Sequence, residues 1–316
     1  MEIDVLKFLK ERLEKPSTPL FYPHPLKRKL MWRLYCLKMW KEHTLSGKEV
    51  YRGIFLSQQK KRDVDGKIMS SIKEKCNKIF FSAGLYEQPS CCLWGRPFYP
   101  EPSSDMLESW FTTFSLLSLI IGGDQYHAKK YLNGKSVVID AGANIGIFSM
   151  LAARLVPKGK IIAFEPWTRA FAVLMRNTYS YSNIKTERIA LGKNKSEFAK
   201  LIVDDKSAIS ASMVDSGIAD STFTSAETVP TTSIDDYVTE NEIEHIDFIK
   251  IDVEGYESRV IEGATRTIRR DLPVIVMSAY HKPYDVKELS SQIVKIDRRY
   301  KVQLSRNIET DLICKI

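Results

Sequence analysis

Cysteine is scarce here and badly spaced for chemistry: Cys36, Cys76, Cys91, Cys92 and Cys314 are five in number, and no two form a C-x-x-C pair. An odd count without that spacing argues against a disulfide framework and a zinc ribbon, and makes a reducing compartment the default. The adjacent Cys91 and Cys92 read as two packed thiols. Long hydrophobic runs are missing too. The most apolar stretch, Trp110 to Ile121, falls short of the ~20 residues a membrane-spanning helix needs, and reads as a buried helix. The opening segment, MEIDVLKFLKERLEK, is charged throughout and lacks the apolar core of a secretory signal. A cytoplasmic location is the expectation.

What is present is ordinary in amount and uneven in place. Hydrophobic residues make up 44% and charged residues 27% of 316 residues, which suits a globular protein with one large core or two modest ones. Residues 1–100 hold 20 Lys and Arg against 10 Asp and Glu, whereas the remainder holds 27 against 29. All of the net +8 therefore belongs to the N-terminal third, which suggests two regions with different tasks. Within it, residues 25–41 read as a basic amphipathic helix, with Leu30, Leu34 and Leu37 on one face and Lys27, Lys29, Arg33, Lys38 and Lys41 around it. A second basic stretch spans 58–67. Such a helix suits anionic lipid, a nucleic acid, or packing against the protein itself with its lysines solvated. Prolines gather at 83–105, read as an irregular connector. The expected division is a basic, mainly helical region over 1–105 and a second domain over 106–316.

From Lys135 onward, apolar β-branched runs alternate with helix-like runs. Strands are expected at Ser136–Asp140, Lys160–Glu165, Ile184–Ala190, Ala199–Val203, Ile246–Asp252, Pro273–Ala279, Lys301–Ser305 and Asp311–Ile316. Helices are expected from the turn after Asp140 through Val156, from Thr168 to about Tyr179, over Glu257–Arg270 and over 285–297. Repeated strand–helix–strand units imply an α/β fold, a doubly wound parallel sheet with helices on both faces. The last two strands are too close in sequence for a crossover and form an antiparallel hairpin. The polar stretch Asp204–Glu227 reads as a mobile loop over the site. Ligands of such sheets lie beyond the carboxyl ends of the strands, where the connections change direction.

The turn after the first of these strands reads DAGANIG, residues 140–146. Gly142 and Gly146 allow a tight turn and close approach to a ligand, and Asn144 between them tolerates positive φ. The dinucleotide fingerprint fails, because Asn144 and Ile147 stand where G-x-G-x-x-G needs glycine. A pyrophosphate would also be repelled by Asp140 at the strand tip. An acid there suits a cationic ligand, and S-adenosylmethionine (SAM) carries an ammonium and a sulfonium with no phosphate. Glu165 ends the next strand at the spacing where Rossmann-type sites hold a ribose.

In order along the chain, VVIDAGANIGIFS, AFEP, IALG, VPTTSIDDY and DFIKIDVEGYE resemble the FkbM-type methyltransferases, a branch of the class I SAM-dependent fold. The likeness runs from about Gly134 to the C-terminus. It implies a Rossmann-like sheet of about seven strands and, usually, O-methylation of a hydroxyl on a sugar or metabolite. Carried over to this chain, Asp140, Gly142, Ala143, Asn144 and Gly146 line the methionine end of SAM. Glu165 holds the ribose, Pro166 shapes the next turn, Ala190, Leu191 and Gly192 border the adenine, and Asp252 lies near the methyl. Trp167 either shields the ring or faces solvent.

Three residues are candidates for proton removal from an acceptor hydroxyl: Asp252, Glu254 and His281. Asp252 and Glu254 alternate in phase on an extended chain. Each has a plainer role open to it: orienting the cofactor, capping the next helix, or standing on a surface loop. The same three could together ligate a divalent cation. Lys250 is in phase with Asp252 and is a candidate partner for it. Besides a small-molecule or glycan acceptor, two other readings stay open: an RNA or protein methyltransferase recruited by the basic third, and a SAM-binding or membrane-associated scaffold without turnover.

Overall fold

The structure is a computed structural model that describes residues 91–100, 109, 112–113, 116–203, 211–213, 225–306 and 310–316. The basic stretches 25–41 and 58–67, and most of Asp204–Glu227, lie outside them. The described residues divide into two compact units, parted between Gly123 and Asp124.

In the first unit, strands β1 (Cys91–Leu93) and β2 (Arg96–Phe98) pair antiparallel, with Leu93 opposite Arg96. The stretch expected to be an irregular connector therefore contains a hairpin. Its two-residue turn works because Trp94 and Gly95 both take positive φ, 55° and 77°, the combination that matches the twist of paired strands. A two-stranded ribbon is all edge, which is where a strand tolerates a residue such as Pro97. Within the run expected to be a buried helix, residues 112–113 and 116–117 are helical, and a π-helical turn follows over Ser118–Gly122.

The second unit holds the remaining strands: β3 (Val137–Ala141), β4 (Lys160–Phe164), β5 (Ile184–Glu187), β6 (Ala190–Leu191), β7 (Ser196–Val203), β8 (Ala211–Met213), β9 (Ser225–Thr232), β10 (Phe248–Ile251), β11 (Val274–Ser278), β12 (Lys301–Arg306) and β13 (Thr310–Lys315). Seven of them form one mixed sheet in the order β12-β13-β11-β10-β3-β4-β5. β13 alone runs against its neighbours β11 and β12, so the expected terminal hairpin closes the sheet. The central strands read VVIDA, FIKI and VIVMS, β-branched and buried along nearly their whole length, as strands covered on both faces must be.

Among the described residues of this unit, the helices are α1 (Ala128–Tyr131), α2 (Ile147–Leu155), α3 (Thr168–Thr178), α4 (Ile234–Glu240), α5 (Glu257–Glu262), α6 (Thr265–Asp271) and α7 (Asp285–Ile296). Strand alternation decides what each face contributes. Ile139, Ile162, Ile249 and Ile275 point to one face and pack with Ile234, Val260, Ile268 and Leu289 of α4 to α7. Their chain neighbours Asp140 and Lys250 point to the opposite face, where Ser149 of α2 meets Asp140.

Two expected elements are divided. The helix over Glu257–Arg270 breaks between Glu262 and Thr265. At Gly263 a Cβ would stand 2.0 Å from the carbonyl oxygen of Gly192, so the chain turns around that backbone, and Asp235 caps the new start by accepting from the N–H groups of Arg266 (2.8 Å) and Thr267 (2.7 Å). The strand over Ile184–Ala190 also divides. β5 stays in the main sheet, while β6 leaves it to pair with β9 in a second, four-stranded sheet of order β6-β9-β7-β8. The expected strand Ala199–Val203 is part of β7 in that second sheet.

Candidate functional site

The main sheet reverses direction of growth at β3. The chain builds β4 and β5 on one side of it and then returns to lay β10 on the other. The loops after β3 and β10 therefore meet at the switch point, where open α/β sheets hold their ligands.

Gly142, with φ +77°, makes the meeting possible: a Cβ there would lie 1.8 Å from the backbone oxygen of Asp252. The Gly142 and Ala143 N–H groups both donate to the carbonyl of Phe164, at 3.0 and 2.9 Å. Asn144 sits at φ +49° and donates its N–H to Glu165 Oε2 at 2.9 Å. Its own side-chain oxygen is buried and has no hydrogen-bond partner. Gly146 precedes α2 at φ +89°, and the Cβ it lacks would stand 2.7 Å from Leu174 Cδ1 of α3. Thus Gly142 serves the contact between loops, and Gly146 the packing of α2 on α3.

Glu165 is buried just past the end of β4. Its second oxygen accepts from the N–H of Trp167 at 2.9 Å. Withdrawal from water raises its pKa to about 7, against the lowering effect of the two N–H donors and of Lys250. Pro166 beside it is half-buried. Trp167 faces inward: it is 3% exposed and packs with Ala190, Leu201, Val203, Met213 and Val229 in the core of the second sheet. Ala190 and Leu191 are buried as β6, and the Gly192 N–H donates to the Thr232 carbonyl at 2.9 Å.

Asp140 has no exposed surface. Lys250 Nζ stands 3.2 Å from Oδ1, and the Ser149 hydroxyl donates to Oδ2 at 2.6 Å. Lys250 also donates to the Gly142 carbonyl at 2.5 Å. Its ion-pair partner is therefore Asp140 on the adjacent strand β3 rather than Asp252. The acid at the strand tip balances a buried lysine that holds the glycine loop from below.

Beyond β10 the chain reads Asp252-Val253-Glu254-Gly255, with Glu254 at φ +52° and Gly255 at φ +87°. The left-handed pair folds the chain back, so Glu254 and Asp252 converge on His281 beyond β11. His281 Nε2 stands 3.4 Å from Glu254 Oε2 and 3.9 Å from Asp252 Oδ1, and Nδ1 stands 3.1 Å from Glu257 Oε1. Burial opposes a charge on this imidazole, but Glu254 and Glu257 on its two nitrogens raise its pKa to about 11. At neutral pH the ring keeps its proton in this arrangement and is no base. Burial pushes Asp252 up, yet the charges of Lys250 and His281, with Tyr126 and Ser278, hold it below the usual carboxylate range. Burial raises Glu254 above that range, with His281 opposing.

Tertiary structure adds two residues to this cluster, Tyr126 and Glu257. Tyr126 donates its hydroxyl to Asp252 Oδ2 at 2.7 Å, from far upstream, and no local pattern signals it. Glu257 is 1% exposed. It accepts from the N–H groups of Val253 (3.1 Å) and Gly255 (3.2 Å) while facing His281. Its position at the end of DVEGYE, opening α5, was the available signal.

Comparison with known proteins bears on this site directly. Methyltransferase sdnD of Sordaria araneosa is 29% identical over 153 residues, covering 40% of this chain and 59% of that protein. Methyltransferase 1 of Beauveria bassiana (strain ARSEF 2860) is 33% identical over 66 residues, or 20% of this chain and 26% of that protein. The chain thus spans less than two thirds of either relative's length. Among solved structures, methyltransferase FkbM from Methylobacillus flagellatus KT is similar at 20% identity and a TM-score of 0.44, over 64% of this chain and 53% of that one. Residues 140–303, from the buried acid of β3 to the middle of β12, match the family model of the methyltransferase FkbM domain. That span exceeds half of the chain and contains both loops at the switch point, so the chain belongs to the FkbM methyltransferase family.

Proposed function

We propose that this chain transfers the methyl group of SAM to a hydroxyl of a small molecule or glycan. The observation that supports it best is the link between Asn144 and Glu165, which ties the glycine loop after β3 to a buried carboxylate after β4. Both halves of an adenosyl-amino-acid ligand need those two features side by side. The fit is good on a second count: the Asn144 side-chain oxygen is a buried acceptor with no protein donor, on the loop where a ligand's ammonium needs one. When bound, SAM supplies a methyl group on a sulfonium, so the protein's task is mainly positioning.

Glu165 keeps lone pairs for two ribose hydroxyls, and the loop over Gly142–Gly146 takes the amino-acid end. Asp252 remains ionised beside them, oriented by Tyr126, where it receives or directs the proton of an acceptor hydroxyl. Calorimetric titration with SAM tests the reading. Wild type should bind, and Glu165→Ala should weaken binding at least tenfold. Because the Glu165 carboxyl titrates near neutrality, its ionised fraction, and with it the affinity, should rise by roughly tenfold from pH 6 to 8. Glu165→Gln should flatten that rise. A folded wild-type protein that does not bind SAM would overturn the assignment.

A further inference from the structure

We infer that Asp252, Glu254 and His281 form a binding site for one divalent transition-metal cation beside the switch point. One carboxylate oxygen from each acid and a ring nitrogen of His281 lie within 4.8 Å of one another. Ligands in neighbouring positions around a small divalent ion, bound at ~2.1 Å, sit about 3 Å apart. The 3.4 Å between His281 Nε2 and Glu254 Oε2 and the 3.9 Å to Asp252 Oδ1 thus need only a small closure.

Two of the atoms that would face the ion, His281 Nε2 and Asp252 Oδ1, are buried without a hydrogen-bond partner. The His281 side chain is 6% exposed. The outward atoms of the same groups are held. Tyr126 donates to Asp252 Oδ2, and Glu257 stands 3.1 Å from His281 Nδ1. A carboxylate behind the non-ligating nitrogen is the usual support of a metal-bound histidine, fixing its tautomer and ring orientation. The Asp252 and Glu254 side chains are 21% and 32% exposed, which leaves an entry path from solvent.

One imidazole nitrogen with two carboxylates suits Mn²⁺, Fe²⁺ or Zn²⁺ better than an all-oxygen cation site does. As the ion takes the Nε2 lone pair, the proton there leaves to solvent. The ion's role rests on the proposed methyl transfer: an acceptor hydroxyl bound to it would lose its proton to solvent more readily and present oxygen to the methyl carbon, with Asp252, as a ligand of the ion, directing that hydroxyl rather than receiving its proton.

The test is a titration of the chelator-treated full chain with Mn²⁺, following the signal of the free ion by electron paramagnetic resonance. Wild type should take up one equivalent. Glu254→Gln and His281→Gln should weaken uptake at least tenfold. Glu257→Gln, which removes only the support behind Nδ1, should weaken it about tenfold. Thermal melts identify any variant that fails to fold; the partly exposed Glu254 is the substitution least exposed to that objection. Absence of saturable Mn²⁺ uptake by wild type overturns the site, and so does uptake unchanged in both ligand variants. SAM titrations on the same preparations keep the two readings apart: uptake of Mn²⁺ without SAM binding sustains the cation site and removes the methyl-transfer role.

Discussion

Replacing Lys250 with methionine is expected to lower stability by about 3–5 kcal/mol, because it strands the fully buried Asp140 carboxylate without its counter-ion. Both partners are more than nine-tenths buried, so solvent cannot take over the lost contact. The melting temperature should fall by roughly 10 °C. The loss should reach the glycine loop as well, since Lys250 donates to the carbonyls of Gly142 and Ala141. Asp140→Asn in the Lys250→Met background should recover most of the stability. The neutral amide removes the buried charge and can still accept from Ser149. A loss below about 1 kcal/mol in the single variant would show that Asp140 is not held as a charged group.

Gly142→Ala is expected to be the most damaging of the loop substitutions. Its Cβ would stand 1.8 Å from the Asp252 oxygen and 2.9 Å from the carbonyl carbon, backbone atoms with no rotamer to escape into. The loops after β3 and β10 must then separate by about 1 Å or more, and the positive φ adds roughly 1–3 kcal/mol of strain. A displacement of about 1 Å in groups that position a substrate can cost about 100-fold in rate. For the proposed SAM site, the expected result is an affinity at least tenfold weaker by calorimetry. Gly134→Ala is the control. Its Cβ would meet only Pro157, at 3.9 Å, and stability and affinity should both stay near wild type.

The main sheet was readable because its strands are short β-branched runs separated by helical periods, and burial on both faces leaves such runs almost no polar residue. Of the second sheet, only Ala199–Val203 of β7 was readable as a separate strand. β9 reads SAETVPTT, and among its described positions Val229, Thr231 and Thr232 are the buried ones, so polarity hid a strand whose partner β7 lies across a long stretch of chain. The kink at Gly263 was equally hidden, because the obstacle is the backbone of Gly192. Trp167 illustrates the same limit. Its place directly after the ribose-type acid suggested a ligand or solvent, and only the packing of β7 and β9 turned it into a core residue.

Local pattern determined the strand–helix alternation, the glycine turn after β3 and the acids at the strand ends, because each follows from backbone conformation over a few residues. Tertiary structure decided the pairings. Lys250 answers Asp140 because β10 lies in register beside β3, and Tyr126 reaches Asp252 from 126 residues away. His281 is surrounded by acids from a loop and a helix start that fold back on it. Charge balance in a buried site depends on distance in space, which no spacing along the chain encodes.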